Sequence, residues 1–91
     1  MAWKVDFSPA AERELDRLPP HVARRILAFL CDRAAKLDDP RSIGDALKGD
    51  KLGAFWKYRV GDYRIIVDIL DGALRILVVR IGDRNKVYKH R

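Results

Sequence analysis

The stretch Phe55-Trp56-Lys57-Tyr58-Arg59-Val60-Gly61-Asp62-Tyr63-Arg64-Ile65-Ile66-Val67 decides the fold. Two runs rich in aromatic and β-branched residues flank Gly61-Asp62, a pair with the composition that a two-residue β-hairpin turn demands. With those two residues as the loop, Val60 faces Tyr63, Arg59 faces Arg64, Tyr58 faces Ile65 and Lys57 faces Ile66. Directly opposed residues share a face of the sheet. One face therefore collects Trp56, Tyr58, Val60, Tyr63, Ile65 and Val67 and is the core side, while the other carries Lys57, Arg59 and Arg64 together. Arg59 opposite Arg64 is a like-charge pair, destabilising unless water or an anion intervenes. A local conflict of this kind marks a candidate functional site.

Downstream, Asp71-Gly72 is expected to close a second two-residue hairpin. That turn places Asp68 opposite Arg75, an ion pair that explains both charges, and continues the core face through Ile76 and Val78. A last short strand or tail is expected at Val87 to His90. Upstream, Trp3, Val5 and Phe7 alternate with polar residues and predict a short strand that pairs with the later sheet. Ser8-Pro9 then starts a helix, Ser8 capping its exposed amides and Pro9 at the first helical position. Ala11, Leu15 and Leu18 form its buried stripe. Pro19-Pro20 interrupts it, and Pro20 opens a second helix in which Val22, Ile26, Phe29, Leu30 and Leu37 recur at three- and four-residue steps. Asp38-Asp39-Pro40 ends that helix, and a loop anchored by Ile43 and Leu47 follows, with room for one helical turn. The predicted order is β-α-α-β-β-β with a further short strand. This is an α+β fold in which a small antiparallel sheet packs against an N-terminal helical hairpin.

At 91 residues, the chain reads as one domain over 1–91, with a single modest core. Cys31 is the single cysteine, so it forms no internal disulfide, and its place between Leu30 and Ala34 predicts a buried, inert thiol. No apolar run approaches the roughly 18 residues of a membrane span, and the chain reads as cytoplasmic. Charge is unevenly placed. Residues 1–50 hold nine Lys/Arg and nine Asp/Glu, whereas residues 51–91 hold ten against four, which accounts for the entire net charge of +6. Clustered cations steer polyanions and are the electrostatic footprint of a nucleic-acid binder. Charge alone is equally the signature of a solvated basic surface.

Neither a metal-ligand cluster nor a phosphate-binding glycine loop is present, so neither metal nor cofactor is expected. His21 reads as a solvated residue at a helix start and His90 as part of a solvated tail. The remaining chemistry-bearing groups are Lys57, Arg59, Arg64, Arg84 and Tyr88. Cleavage of RNA needs no metal when the neighbouring 2′-hydroxyl is the nucleophile. It needs a base for that hydroxyl, charge stabilisation at phosphorus and an acid for the leaving 5′-oxygen. A tyrosine among cations can supply the base, since nearby positive charge favours the phenolate. Spacing alone favours an ordinary strand-end aromatic at Tyr88.

The order Leu47-Lys48-Gly49, Trp56-Lys57-Tyr58-Arg59, Asp62-Tyr63-Arg64-Ile65, Arg80-Ile81-Gly82-Asp83-Arg84 and Val87-Tyr88, preceded by Phe7-Ser8-Pro9-Ala10-Ala11, resembles the RelE/ParE toxin superfamily. The likeness spans nearly the whole chain and the predicted element order matches that fold. For the RelE branch it implies the toxin of a type II toxin–antitoxin system, a metal-independent endoribonuclease that cleaves mRNA in the ribosomal A site. The partners implied are a RelB-like antitoxin, the ribosome and mRNA, with DNA reached only through the antitoxin and no membrane.

The resemblance also distributes roles. Lys57 is similar to a family lysine that contacts the phosphate, and Arg59 stands where some members have a second lysine. Arg64 resembles an arginine on the scissile phosphate, Arg84 the general acid or transition-state stabiliser, and Tyr88 the general base. Lys51, Lys86 and Lys89 join Lys57 and Arg59 as candidate RNA or ribosome contacts. Arg84 and Tyr88 lie closer together than in some RelE members, and arginine at 59 holds its proton more firmly than lysine would. A competing reading is a ParE-like inhibitor of DNA gyrase without nuclease activity, which shares the fold. A third is a non-catalytic nucleic-acid binder, which would need Trp56, Tyr58 and Tyr63 on the open face.

Overall fold

A computed structural model describes residues 2–47 and 55–83. Strand β1 (Lys4–Phe7) leads into helix α1 (Pro9–Asp16), and α2 (Pro20–Ala28) follows. Four strands come after them: β2 (Asp45–Ala46), β3 (Trp56–Val60), β4 (Tyr63–Leu70) and β5 (Arg75–Asp83). The sheet order is β1-β5-β4-β3-β2, with β1 parallel to β5 and every other pair antiparallel. The architecture is therefore α+β, two helices on a five-stranded mixed sheet.

The helix starts obey their sequence signals. The Ser8 side chain accepts a hydrogen bond from the Ala11 amide and donates one of 2.8 Å to the Val79 carbonyl, so one hydroxyl both caps α1 and ties it to β5. Ala11 is fully buried, and Leu15 and Leu18 pack on the same core. After α2 the chain stays helical through a π turn (Phe29–Arg33) and a 3-10 turn (Ala34–Lys36) before Leu37 turns extended. The extra residue in the π turn shifts the apolar stripe. Leu30, Ala34 and Ala35 are buried, while Cys31 is exposed, against the expectation of a buried thiol. One residue beyond Leu30 is about 100° round the helix axis, away from the core.

The β3–β4 hairpin has the expected register at every position, from Val60 opposite Tyr63 to Lys57 opposite Ile66. The second hairpin does not. Its loop is four residues long, a 3-10 turn at Asp71–Ala73 closed by Leu74 in the left-handed conformation (φ 48°). Asp68 therefore faces Leu77 rather than Arg75, and Arg75 faces Leu70. Arg75 Nε lies 2.9 Å from Asp6 Oδ2 on β1 instead, with no aligned hydrogen bond. Lengthening the loop by two residues preserves the alternation, so Ile76 and Val78 still face the core as expected. The short strand β2 was not anticipated; Asp45 and Ala46 extend the sheet edge beside Lys57 and Trp56. The segment Val87 to His90 lies outside the described residues.

The core lies between the helices and one sheet face and contains Ile26, Leu30, Tyr58, Ile65, Val67, Ile76, Val78 and Ile81. Tyr58 is its pivot. The ring is fully buried, stacks edge-on with Phe29 at 5.3 Å, and its hydroxyl donates a 2.7 Å bond to the Pro40 carbonyl. Gly44 makes room for it, since a Cβ there would sit 2.9 Å from Tyr58 Cε1. Arg41 completes this corner. Its guanidinium bonds both Asp71 carboxylate oxygens, at 3.0 and 2.6 Å, and so fastens the segment before β2 to the β4–β5 loop.

Burial, reinforced by the Asp39 charge, pushes the Tyr58 hydroxyl up to about 12, with Arg41 acting weakly the other way. In the unfolded chain the same hydroxyl ionises near the usual value of about 10. The unfolded state therefore loses this proton first, and stability falls as pH rises from about 10 to about 12. Tyr58→Phe is expected to lower stability at pH 7 by about 1 kcal/mol through loss of the Pro40 bond. It should also flatten the alkaline decline, read by urea unfolding at pH 7, 10 and 11.5.

Candidate nucleic-acid interface

The sheet face away from the helices is built in rows by the strand register. Asp45, Lys57, Ile66 and Arg80 stand side by side across β2 to β5, and the next row holds Arg59, Arg64 and Gly82. Further along, Asp68, Leu77 and Asp6 form a third row. The row of Arg59 and Arg64 is the cationic one; the first sets Lys57 beside Asp45 with Arg80 engaged by Glu14, and the third holds two carboxylates. Among the described residues, unneutralised cations therefore lie towards the Gly61-Asp62 end of the sheet.

Ile66 is the floor of this region. It is only 4 % exposed, yet it belongs to the outer face and not to the helix-side cluster. A low-dielectric floor beneath neighbouring cations strengthens their attraction for an anion. Arg59 is exposed and opposed to Arg64, as expected. Arg64 is half-buried, and the structure gives its guanidinium one hydrogen bond, a 3.3 Å contact from Nη1 to the Tyr63 carbonyl. Among the described residues no carboxylate pairs with either arginine. Opposite Arg64 on β5 stands Gly82, which has no side chain to occupy the space beside it. Two adjacent guanidiniums, an apolar floor and an open flank suit a phosphodiester, since each guanidinium presents a planar fork of donors to phosphate oxygens.

The structure brings Lys57, Arg59 and Arg64 together on one face. Arg84, Tyr88, Lys51, Lys86 and Lys89 lie outside the described residues. Trp56, Tyr58 and Tyr63 are on the core side, so base stacking on these aromatics from the open face is not available.

Sequence reasoning overlooked Glu14. Its Oε2 accepts from Arg80 Nε at 3.0 Å and Nη2 at 2.8 Å, and its Oε1 accepts from the Ile81 backbone amide at 2.7 Å. A bulge in β5 shifts the register between Ile66 and Val67, where Val67 pairs with Val78 and Ile66 with Arg80. Glu14 holds the strand just beyond that bulge and draws Arg80 off the outer face towards α1. The signal was present in the spacing: position 14 lies one turn from Ala11 and from Leu18 on the stripe facing the sheet, where a carboxylate requires a partner. A cavity of about 350 Å³ opens beside this clamp, lined in part by Arg17, Leu18, Tyr63 and Asp83. Among the described residues no group of His, Cys, Asp or Glu is arranged to hold a metal ion. No described helix is long and apolar enough to cross a membrane.

Comparison with known proteins gives a family. The model describing the ParE toxin of type II toxin–antitoxin systems matches residues 5–88. Toxin RelE of Mycobacterium tuberculosis is 31% identical over 87 residues, covering 96% of this chain and 87% of that protein. Toxin RelG of the same organism is 27% identical over 89 residues, covering 98% and 99%. A chain of the M. tuberculosis RelBE2 toxin–antitoxin complex superposes with a TM-score of 0.83 at 25% identity, covering 92% of this chain and 93% of that one. The protein belongs to the RelE/ParE superfamily of type II toxin–antitoxin toxins.

Two substitutions separate charge that holds the fold from charge that strains it. Glu14→Ala leaves the Ile81 amide and the Arg80 guanidinium without their acceptor. It is expected to cost about 2–4 kcal/mol in a urea unfolding titration. Arg59→Thr removes one of two opposed cations on an exposed strand and is expected to stabilise by roughly 0.5 kcal/mol at low ionic strength. That gain should raise Tm by a few degrees and shrink as salt screens the repulsion.

Proposed function

We propose that this toxin is a ribosome-dependent endoribonuclease that cleaves mRNA in the A site and thereby stops translation, and that a RelB-like antitoxin holds it inactive. The observation that carries the reading is the opposed Arg59–Arg64 pair beside Lys57, an arrangement that repels itself until an anion is seated on it. Its resemblance to a toxin named RelE along almost the whole chain supports the same reading.

The reaction assigns one task to each group. Tyr88 takes the proton of the 2′-hydroxyl, and that oxygen attacks the adjacent phosphorus. The new bond joins O2′ to phosphorus, the bond to O5′ breaks, and the products are a 2′,3′-cyclic phosphate and a free 5′-hydroxyl. Arg64 and Lys57 neutralise the charge that accumulates on the non-bridging oxygens. Arg84 stabilises or protonates the departing O5′, and Arg59 with Lys51, Lys86 and Lys89 holds flanking phosphates. The site has little acid–base equipment of its own, so alignment of the 2′-oxygen supplies much of the rate. The ribosome provides that alignment by fixing the substrate.

A second reading has its own support, because the matching family model is described by the ParE toxin. In that reading the toxin inhibits DNA gyrase and leaves RNA intact.

Brief expression followed by mapping of mRNA 5′ ends separates the two. The expected result is cleavage within translated codons and little on naked RNA. Arg64→Ala should slow it by about 10²–10³-fold through loss of an oxyanion contact. Tyr88→Phe should slow it by about 10²–10⁴-fold through loss of the base. Intact transcripts together with altered plasmid supercoiling would overturn the nuclease reading in favour of gyrase.

A further inference from the structure

The cationic surface does not stop at the sheet. Helix α2 has the sequence Pro20-His21-Val22-Ala23-Arg24-Arg25-Ile26-Leu27-Ala28, with no acidic residue in it. Val22 and Ile26 face the core, and His21, Arg24 and Arg25 are exposed. Positions three and four away from either arginine hold no carboxylate, so no pair within α2 compensates them. Nor does the helix dipole account for Arg25, because the helical path runs on through the π and 3-10 turns to Lys36.

Arg25 is instead placed against the β3–β4 turn. A methyl added at Gly61 would sit 3.2 Å from Arg25 Nη1. Gly61 is in the left-handed region with φ +60°, so the residue that permits the tight turn also lets the guanidinium lie alongside it. Arg59 and Arg64 flank the same turn on the outer face. Arg17, at the C-terminal end of α1, lines the cavity that Tyr63 and Asp83 also line. Three arginines, one from α2 and two from the hairpin strands, thus lie about one turn, and no described carboxylate pairs with any of them. The acidic groups nearby are Asp62, exposed in the turn itself, Glu14, engaged by Arg80, and Asp83, which has an interaction of its own.

We infer that the RNA-binding surface continues from the outer sheet face round the Gly61-Asp62 turn onto α2, where Arg24 and Arg25 take backbone phosphates beyond the cleavage point. This rests on the proposed nuclease reading for the identity of the polyanion, and it adds a second element, a helix, to the contact. An RNA strand is the partner of fitting chemistry because the cations are spread over a curved path round the turn. A flexible phosphodiester backbone follows such a path, and each phosphate needs only one guanidinium.

The test measures binding apart from cleavage. A fluorescein-labelled 20-nucleotide 2′-O-methyl RNA, which cannot be cut by 2′-hydroxyl attack, is titrated with the full chain at several salt concentrations. Arg24→Ala/Arg25→Ala is expected to lower the slope of log K against log salt by about 1.4, at roughly 0.7 per phosphate contact on a single strand. Lys4→Ala/Lys36→Ala removes the same charge elsewhere on the molecule and should leave the slope as it was. Circular dichroism of both double variants should be unchanged.

An equal drop in the two variants would overturn the inference, since only net charge would then matter. So would displacement of the RNA by polyglutamate at equal charge concentration, which would point to an acidic protein as the occupant. An unchanged slope in Arg24→Ala/Arg25→Ala with mRNA cleavage intact overturns this inference alone. A lowered slope in a chain that leaves mRNA uncut supports the surface and overturns the nuclease reading.

Discussion

Two residues, Gly61 and Asp62, set the parity of the sheet. With a two-residue loop the alternation of β3 and β4 is locked, and every odd or even assignment downstream follows from it. A slip of one residue would turn Tyr58, fully buried and bonded to Pro40, out to solvent and carry Lys57 and Arg59 into the core. The cost of burying two unpaired cations is large enough to exclude that register outright. The same lock leaves Arg59 no alternative to facing Arg64. The repulsion across the outer face is thus a consequence of the register that protects the core, and the protein tolerates it because one partner is exposed to water.

The remaining charges divide by what they join. Glu14 with Arg80 fastens α1 to β5, Asp71 with Arg41 fastens the β4–β5 loop to the segment before β2, and Asp6 with Arg75 links β1 to β5. Each pair spans elements distant in sequence, so each contributes to tertiary organisation. Arg41 holds the Asp71 carboxyl below its ordinary range through a direct hydrogen bond. Among the described residues Arg17, Arg24, Arg25, Arg59 and Arg64 have no ion-pair partner. Of these, Arg25, Arg59 and Arg64 lie about the Gly61-Asp62 turn.

Much of this was legible in the sequence because the signals were local. Ser8-Pro9 announced α1, Gly61-Asp62 announced the first hairpin, and period-two alternation separated Tyr58 and Ile65 from Lys57 and Arg64. What was missed depends on partners far along the chain. Asp71-Gly72 has the composition of a two-residue turn, but Leu74 adopts the left-handed conformation and lengthens the loop to four, a choice no dipeptide rule predicts. Arg75 then finds Asp6, from a strand 69 residues earlier, in place of Asp68. Cys31 was misplaced because an α-helical period was carried through a π turn. Glu14 was legible as a charge on a buried stripe, yet its partner lies 66 residues on and belongs to no local motif.

The clamp at Glu14 clarifies why Arg80 and Arg64 behave differently although both project from the outer face. By register Arg80 stands beside Ile66, next in line to Lys57, and would add a second cation to the row. The carboxylate of α1 neutralises it and simultaneously satisfies the Ile81 amide, which lies past the end of the β1 pairing. One acidic side chain therefore closes the exposed edge of β5 and keeps the adjacent row from becoming more repulsive than the fold can bear. Arg64, with Arg59 on one side and Gly82 on the other, has no carboxylate partner among the described residues, and its guanidinium donates to the Tyr63 carbonyl. What separates the two arginines is what the neighbouring strand and helix supply, since the side chains themselves are identical.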